Sequence, residues 1–384
     1  MSLVLDEHRE YLSDEARLSA FRRAIEEVVK PGDVVVDLGS GTGILGLLAL
    51  RSGAARVYAL DNGGLTQLER EIFAANGFAD RVVCVKGLST RINLPELADV
   101  VVSDQIGRFG FEAGAVQYFA DARRRLLKPS ARMTPLRIDL CVAPVEAASL
   151  AGEIDFWRQS PQGFDFAPAH SIAINTGHPT SYQPHQILSE PSIIASIDLT
   201  RDCAPVLSGK AACNVRRRAT LHGIGGWFAA LLSPSVTMTN SPLSGKKIGR
   251  RAVFFPLHPA LAVEPDDCVQ IAMKIVPEEK LVSWRAAIFD KNGRQRARFV
   301  HSTFLGMLFC PEDLQKARPD FVPKLTKWGE ARRTVVDLCD GRRNVAEIER
   351  EVYERHRNLF ASPAEAAVFV VEVMVPYAYE DRNI

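Results

Sequence analysis

Ten residues constrain this chain more than any other stretch: Val34-Val35-Val36-Asp37-Leu38-Gly39-Ser40-Gly41-Thr42-Gly43. The continuous β-branched run reads as a strand buried on both faces of a parallel sheet. The glycines after it let the backbone approach a ligand at the N-terminus of the apolar helix predicted over 44–50. Helical spacing covers residues 1–30, where Leu12, Ala16, Phe21, Ala24 and Val28 recur near a 3.6 period until Pro31-Gly32 breaks it. Further strands are predicted at 55–60, 81–85 and 99–103, with a helix over about 65–76. The alternation predicts an α/β class, a doubly wound Rossmann-like sheet.

Two ligand classes use such a glycine turn. Gly41-Thr42-Gly43-Ile44-Leu45-Gly46 matches the G-x-G-x-x-G dinucleotide pattern. Asp61, at the end of the second strand, can hold ribose hydroxyls in either class. The other class is S-adenosylmethionine, whose cationic amino-methionine end is favoured by an acid just before the glycines. Asp37 is that acid, and a pyrophosphate would be repelled by it. The reading is therefore a methyl-donor site, with an NAD(P)-dependent oxidoreductase as the alternative.

The pattern changes after Pro129. Short strands at 137–142, 193–199, 219–221, 252–255 and 268–275 predict a β-barrel or sandwich over 136–310. An aromatic excursion with Phe156, Trp157, Phe164 and Phe166 interrupts it at about 151–180. The N-terminal domain is then 1–135, a proline-bearing linker spans 311–330, and a helical domain fills 331–384. There Asn344 is the expected N-cap, with Glu347 three residues on.

Lys+Arg and Asp+Glu number 47 and 46, so no global charge points to nucleic acid or to a membrane surface. No apolar run approaches the ~18 residues of a transmembrane helix. Seven cysteines without a C-x-x-C pair suit reduced thiols in the cytoplasm. No Cys/His spacing suggests a metal, and none is expected.

At this point the residues resemble a family. Residues 1 to about 285 are similar to the protein arginine methyltransferases, most closely in Asp37-Leu38-Gly39-Ser40-Gly41-Thr42-Gly43-Ile44-Leu45. Asp14-Glu15-Ala16-Arg17 resembles the helix before the first strand, which implies that Arg17 grips the donor's carboxylate. The resemblance further implies Asp61 on the ribose, Ser89 and Thr90 at the adenine, and Gly39, Gly41 and Gly43 along the donor. It also implies a homodimer through the 151–180 arm. Gly223 to Phe228 matches the family's Gly-x-x-x-Trp-Phe barrel strand.

The acceptor half departs from the family. Its loop carries two glutamates that hold the acceptor guanidinium. Here it reads Ser103-Asp104-Gln105-Ile106-Gly107-Arg108-Phe109-Gly110-Phe111-Glu112-Ala113. Asp104 stands for the first glutamate; the second falls on Ala113, with Glu112 one position early. The catalytic pair implied is Asp104 and Glu112. The family's Thr-His-Trp segment is replaced by Lys247-Ile248-Gly249. Lys247 and Arg108 near the pocket would suit an acceptor with negative charge better than an arginine.

Residues 334–348, around Asp340-Gly341-Arg342-Arg343, resemble winged-helix peptide chaperones of the PqqD type. The expected function is S-adenosylmethionine-dependent N-methyl transfer to a specialised peptide or small-molecule acceptor. The alternative is a non-catalytic scaffold that holds a donor or a peptide.

Overall fold

The run at 34–38 becomes the central strand of a five-stranded parallel sheet. The computed structural model describes residues 4–375, 377 and 378. It divides into two compact units, Met1–Leu308 and Phe309–Ile384.

The first unit opens with two helices, α1 (Val4–Ser13) and α2 (Glu15–Val28), where one helical stretch was expected. Asp14 separates them as the N-cap of α2, its carboxylate accepting from the Arg17 backbone N–H at 3.1 Å. The chain continues through β1 (Val34–Leu38), α3 (Ile44–Arg51), β2 (Arg56–Asp61), α4 (Thr66–Ala75), β3 (Val82–Lys86), β4 (Ala98–Ser103), α5 (Ala115–Arg125) and β5 (Leu127–Thr134). The strand order is β3-β2-β1-β4-β5, all parallel. The order reverses between β1 and β4, so their carboxyl ends open a crevice there, the usual ligand position in such sheets.

The second layer is antiparallel. It comprises β6 (Arg137–Val145), α6 (Ala148–Asp155), α7 (Ala167–Ala173), β7 (His178–Thr180), β8 (Ser192–Asp198), β9 (Leu207–Asn214), β10 (Ala219–Leu231), β11 (Thr237–Thr239), β12 (Ala252–Val263), β13 (Cys268–Val276), β14 (Leu281–Phe289) and β15 (Gln295–Ser302). One sheet runs β7-β12-β10-β6-β8, with β11 on β10; the other runs β15-β14-β13-β9. The expected barrel is thus built as two antiparallel sheets, with more and longer strands than the sequence suggested. Glycines inside β10 hid it: a Cβ at Gly223 would strike Phe254 and the Phe255 carbonyl, and one at Gly226 would strike Phe109 at 2.9 Å. These glycines mark close backbone approach within a strand, not turns.

The 151–180 excursion is formed by α6, α7 and the turns between them. Phe156, Trp157, Phe164 and Phe166 are all exposed there, Phe164 to 68%. Among the described residues no helix is long and apolar enough to cross a membrane.

The second unit contains α8 (Pro311–Lys316), α9 (Lys327–Leu338), α10 (Val345–Arg355) and α11 (Pro363–Met374). The stretch expected as a linker therefore holds a short helix and the first turn of α9. The unit has its own core of Ala331, Val335, Ile348, Val352, Phe369 and Val370. Trp328, Phe360 and Phe369 form an aromatic trio with centroids 5.3–5.5 Å apart. Its described residues include helices and no strand, so the expected winged-helix, PqqD-type architecture is not supported.

Asn344 and Glu347 form a reciprocal capping box at 3.0 and 2.9 Å. Replacing such a cap by alanine costs about 1 kcal/mol. Asn344→Ala should accordingly speed hydrogen exchange of the first-turn amides of α10, Glu347 above all. Unchanged exchange would mean that the cap contributes nothing in solution.

Candidate active site

The glycine loop follows β1, and three glycines in it take left-handed φ: Gly39 at 70°, Gly41 at 59° and Gly43 at 77°. A Cβ at Gly39 would strike Gln105, and one at Gly41 would strike His8. Only glycine fits this surface, and His8 and Gln105 join the site without having been singled out in the sequence. Asp61 closes β2 beside the loop. Its Oδ2 accepts from Gly41 N–H at 3.0 Å and its Oδ1 from Gly63 N–H at 2.5 Å. Ser89 and Thr90 form a tight turn after β3, on the same edge of the sheet.

Asp37 lies beneath the loop rather than on its outer face. It is fully buried, and its Oδ2 accepts from Gly46 N–H at 2.9 Å in the first turn of α3. Burial, and then the charge of Glu69, push its pKa up to about 8. Glu69, buried at the start of α4, is pushed up to about 7 by burial, opposed by the Ser40 hydroxyl. Asp37 Oδ1, Ser40 Oγ and both Glu69 oxygens make no hydrogen bond of good geometry, although Ser40 and Cys84 flank Glu69. These atoms lie beneath the loop, closed off from solvent by it.

Asp104, expected from the sequence as a catalytic acid, lies directly after β4. Its carboxylate is 11% exposed and lies between two guanidiniums. Arg17 donates Nε–H to Oδ2 at 2.6 Å. Arg250 donates Nη2–H to Oδ2 at 2.7 Å and Nη1–H to Oδ1 at 3.1 Å. Burial alone would raise the Asp104 pKa; the charges and hydrogen bonds of Arg250 and Arg17 outweigh it and hold the pKa low. The Arg17 guanidinium lies over Tyr11 at 5.4 Å and Phe21 at 5.5 Å, and its Nη1–H reaches the Tyr11 carbonyl at 3.1 Å. Its Nη2 makes no hydrogen bond among the described residues.

Glu112 does not meet Asp104. Its Oε1 accepts from Arg108 N–H at 2.6 Å and Phe109 N–H at 2.8 Å, and its Oε2 from Phe111 N–H at 3.2 Å. It shapes its own loop. Lys247 and Arg108 are exposed; the cations at Asp104 are Arg17 and Arg250, and Arg250, next after Lys247-Ile248-Gly249, carried no signal in the sequence. Asn240, buried, staples this region. It accepts from Phe228 N–H at 2.9 Å and donates to the Arg108 carbonyl at 2.8 Å and the Arg251 carbonyl at 3.1 Å.

One further cluster comes together from α6, α7 and β12. Asp155, His170 and His258 bring potential ligand atoms within 4.8 Å of one another. No spacing rule could display it, since the three residues are far apart in the chain. His170 Nε2 and Asp155 Oδ1 lie at hydrogen-bond distance, 3.3 Å.

Comparison with known proteins agrees with this layout. Residues 137–285 match the arginine methyltransferase oligomerization subdomain, and residues 21–132 match ribosomal protein L11 methyltransferase. Protein arginine N-methyltransferase 6 of Danio rerio is 27% identical over 290 residues, 71% of this chain and 82% of that protein. A probable protein arginine N-methyltransferase 6 of Arabidopsis thaliana is 31% identical over 231 residues, 58% of this chain and 53% of that protein. Among solved structures, the Trypanosoma brucei PRMT1 enzyme–prozyme heterotetrameric complex with AdoHcy superimposes with a TM-score of 0.70 at 21% identity, covering 77% of this chain and 96% of that one. Arabidopsis thaliana protein arginine methyltransferase 10 gives 0.68 at 22% identity, covering 78% and 98%. The chain is an S-adenosylmethionine-dependent methyltransferase, similar to the protein arginine methyltransferases. The oxidoreductase alternative falls with that result.

The buried acids make a pH prediction. A carboxyl with a pKa of about 8 in the fold and roughly 4 unfolded binds its proton more tightly when folded. Its stabilising contribution is complete below about pH 4 and is lost as pH rises through 8. Asp37→Asn should therefore flatten the decline of the melting temperature between pH 5 and 8. An unaltered profile would show that Asp37 is ionised throughout.

Proposed function

We propose that the chain transfers the methyl group of S-adenosylmethionine to a nitrogen of a specialised acceptor, a peptide or small molecule, rather than to arginine side chains in general. The observation that carries this reading is the state of Asp104, a buried carboxylate beside the donor loop already shared by Arg17 and Arg250. Bound donor supplies an electrophilic methyl on a sulfonium. Arg17 keeps its Nη2 donors for the donor's carboxylate, and the carboxylate of Asp61 has lone pairs left for ribose hydroxyls. Ser89 and Thr90 flank the adenine. Tyr11 and Phe228 line the approach to Asp104 and exclude water, which strengthens the electrostatics of transfer.

A second reading is a scaffold that binds donor without turnover. It is favoured by Glu112, whose carboxylate is occupied by backbone amides. Tight donor binding without methyl transfer to any acceptor presented would select it.

The first test is donor binding. S-adenosylhomocysteine should raise the melting temperature, by the equivalent of about 2.7 kcal/mol at 100 times its dissociation constant, and NAD should not. Asp61→Ala removes a charged hydrogen-bond acceptor worth roughly 1.5–3 kcal/mol. It should weaken the ligand at least tenfold by calorimetry, and undiminished affinity would move the ribose elsewhere.

The same reading makes the chain a two-fold homodimer, with the arm as the contact. It is supported by the exposed Phe156, Trp157, Phe164 and Phe166 and by the matched oligomerization subdomain. Light scattering should give the mass of a dimer, and deletion of 153–168 should give monomers. A monodisperse monomer from the intact chain would overturn it. The helical C-terminal unit, with its own core, is read as a docking module for a peptide acceptor.

A further inference from the structure

We propose that Arg250 is a built-in guanidinium occupying a cation site at Asp104, and that by occupying it Arg250 bars arginine side chains and leaves an uncharged nucleophile as the acceptor class. The inference rests on the reading that Asp104 borders the acceptor.

The site is complete. The Asp104 carboxylate takes the two-pronged fork of Arg250, and the Gly107 carbonyl accepts a further Nη1–H at 3.3 Å. The faces of Tyr11 and Phe228 lie 5.9 Å from the guanidinium carbon, one ring from α1 and one from β10. The side chain is 12% exposed. A carboxylate fork with two aromatic faces is the arrangement that suits a guanidinium rather than an ammonium.

Arg250 is held, not merely collapsed inward. Gly249 N–H donates to Asp14 at 2.7 Å, Ile248 N–H to the Thr239 carbonyl at 2.9 Å, and Asn240 holds the Arg251 carbonyl. Ile248 is buried. A tethered group competes at high effective concentration against any free one.

Charge excludes a second guanidinium. Arg17 and Arg250 against Asp104 leave a net charge of +1, which a donor carboxylate on Arg17 would only balance, so no negative charge is left over for a further cation. An acceptor arginine would raise it further with no carboxylate to meet it, because Glu112 faces its own loop amides and position 113 is alanine. A buried unpaired cation is strongly disfavoured. An uncharged nitrogen or oxygen nucleophile brings no such charge.

The test is chemical rescue of the full-length chain. Arg250→Ala should lower the melting temperature, and ethylguanidinium should restore part of it saturably; ethylammonium should not. Wild type should show no saturable rise, and Arg250→Ala combined with Asp104→Asn should lose the rescue. If Arg250→Ala does not fold, Arg250→Met keeps the apolar stem. With S-adenosylhomocysteine present, it should bind an arginine-glycine peptide at least tenfold more tightly than wild type by calorimetry. No rescue beyond wild type, or wild-type peptide affinity equal to that of the variant, would overturn the proposal. Binding of S-adenosylhomocysteine to wild type reports separately on the donor reading, so failure of one is told apart from failure of the other.

Discussion

A carboxylate held between two guanidiniums organises the region beside the glycine loop. Asp104 draws together the start of α2 through Arg17 and the segment before β12 through Arg250. Neither arginine could be buried there without it, and it could not ionise there without them. Removing one partner from a buried pair of this kind typically costs about 3–5 kcal/mol. The three residues act as one unit, and the neighbouring aromatic faces of Tyr11, Phe21 and Phe228 complete its walls.

The glycine loop rests on a different constraint, the reversal of strand order between β1 and β4. It places the glycine loop and Asp104 on neighbouring strand ends, with Leu38 registered against Ser103 and the Ser103 hydroxyl donating to the Leu38 carbonyl at 2.8 Å. Asp61 sits one strand further out. Beneath the loop, burial pushes the pKa of Asp37 up to about 8 and that of Glu69 up to about 7, which eases the repulsion between two carboxyls standing close together.

The legible parts of the chain were those in which local sequence and local structure coincide. Val34 to Gly43 reads directly as strand, turn and helix start, because each residue's role is set by its neighbours. Asn344 with Glu347 reads as a capping box for the same reason. Strands β9, β14 and β15 were not legible, since their half-exposed faces carry mixed polarity and their pairing depends on residues elsewhere in the chain. Arg250 was hidden for a related reason. It reaches Asp104 across 146 positions on a loop with no periodicity, and nothing within that loop reports the carboxylate it will meet. Glu112 was visible as an acid near the right place; whether it faced a ligand or its own backbone depended on the path of the loop.

Asp14 serves two segments at once. One oxygen caps α2 through Arg17 N–H, and the other holds Gly249 N–H, 235 positions away. Displacement of the 248–250 segment would therefore take away one of the two partners that fix the carboxylate capping the helix that carries Arg17. Arg17 and Arg250, far apart in the chain, thus share a latch besides Asp104: the residue before Arg250 and the backbone of Arg17 hang on one carboxylate. One side chain thereby ties two segments of the sequence to a common position without involving the sheet.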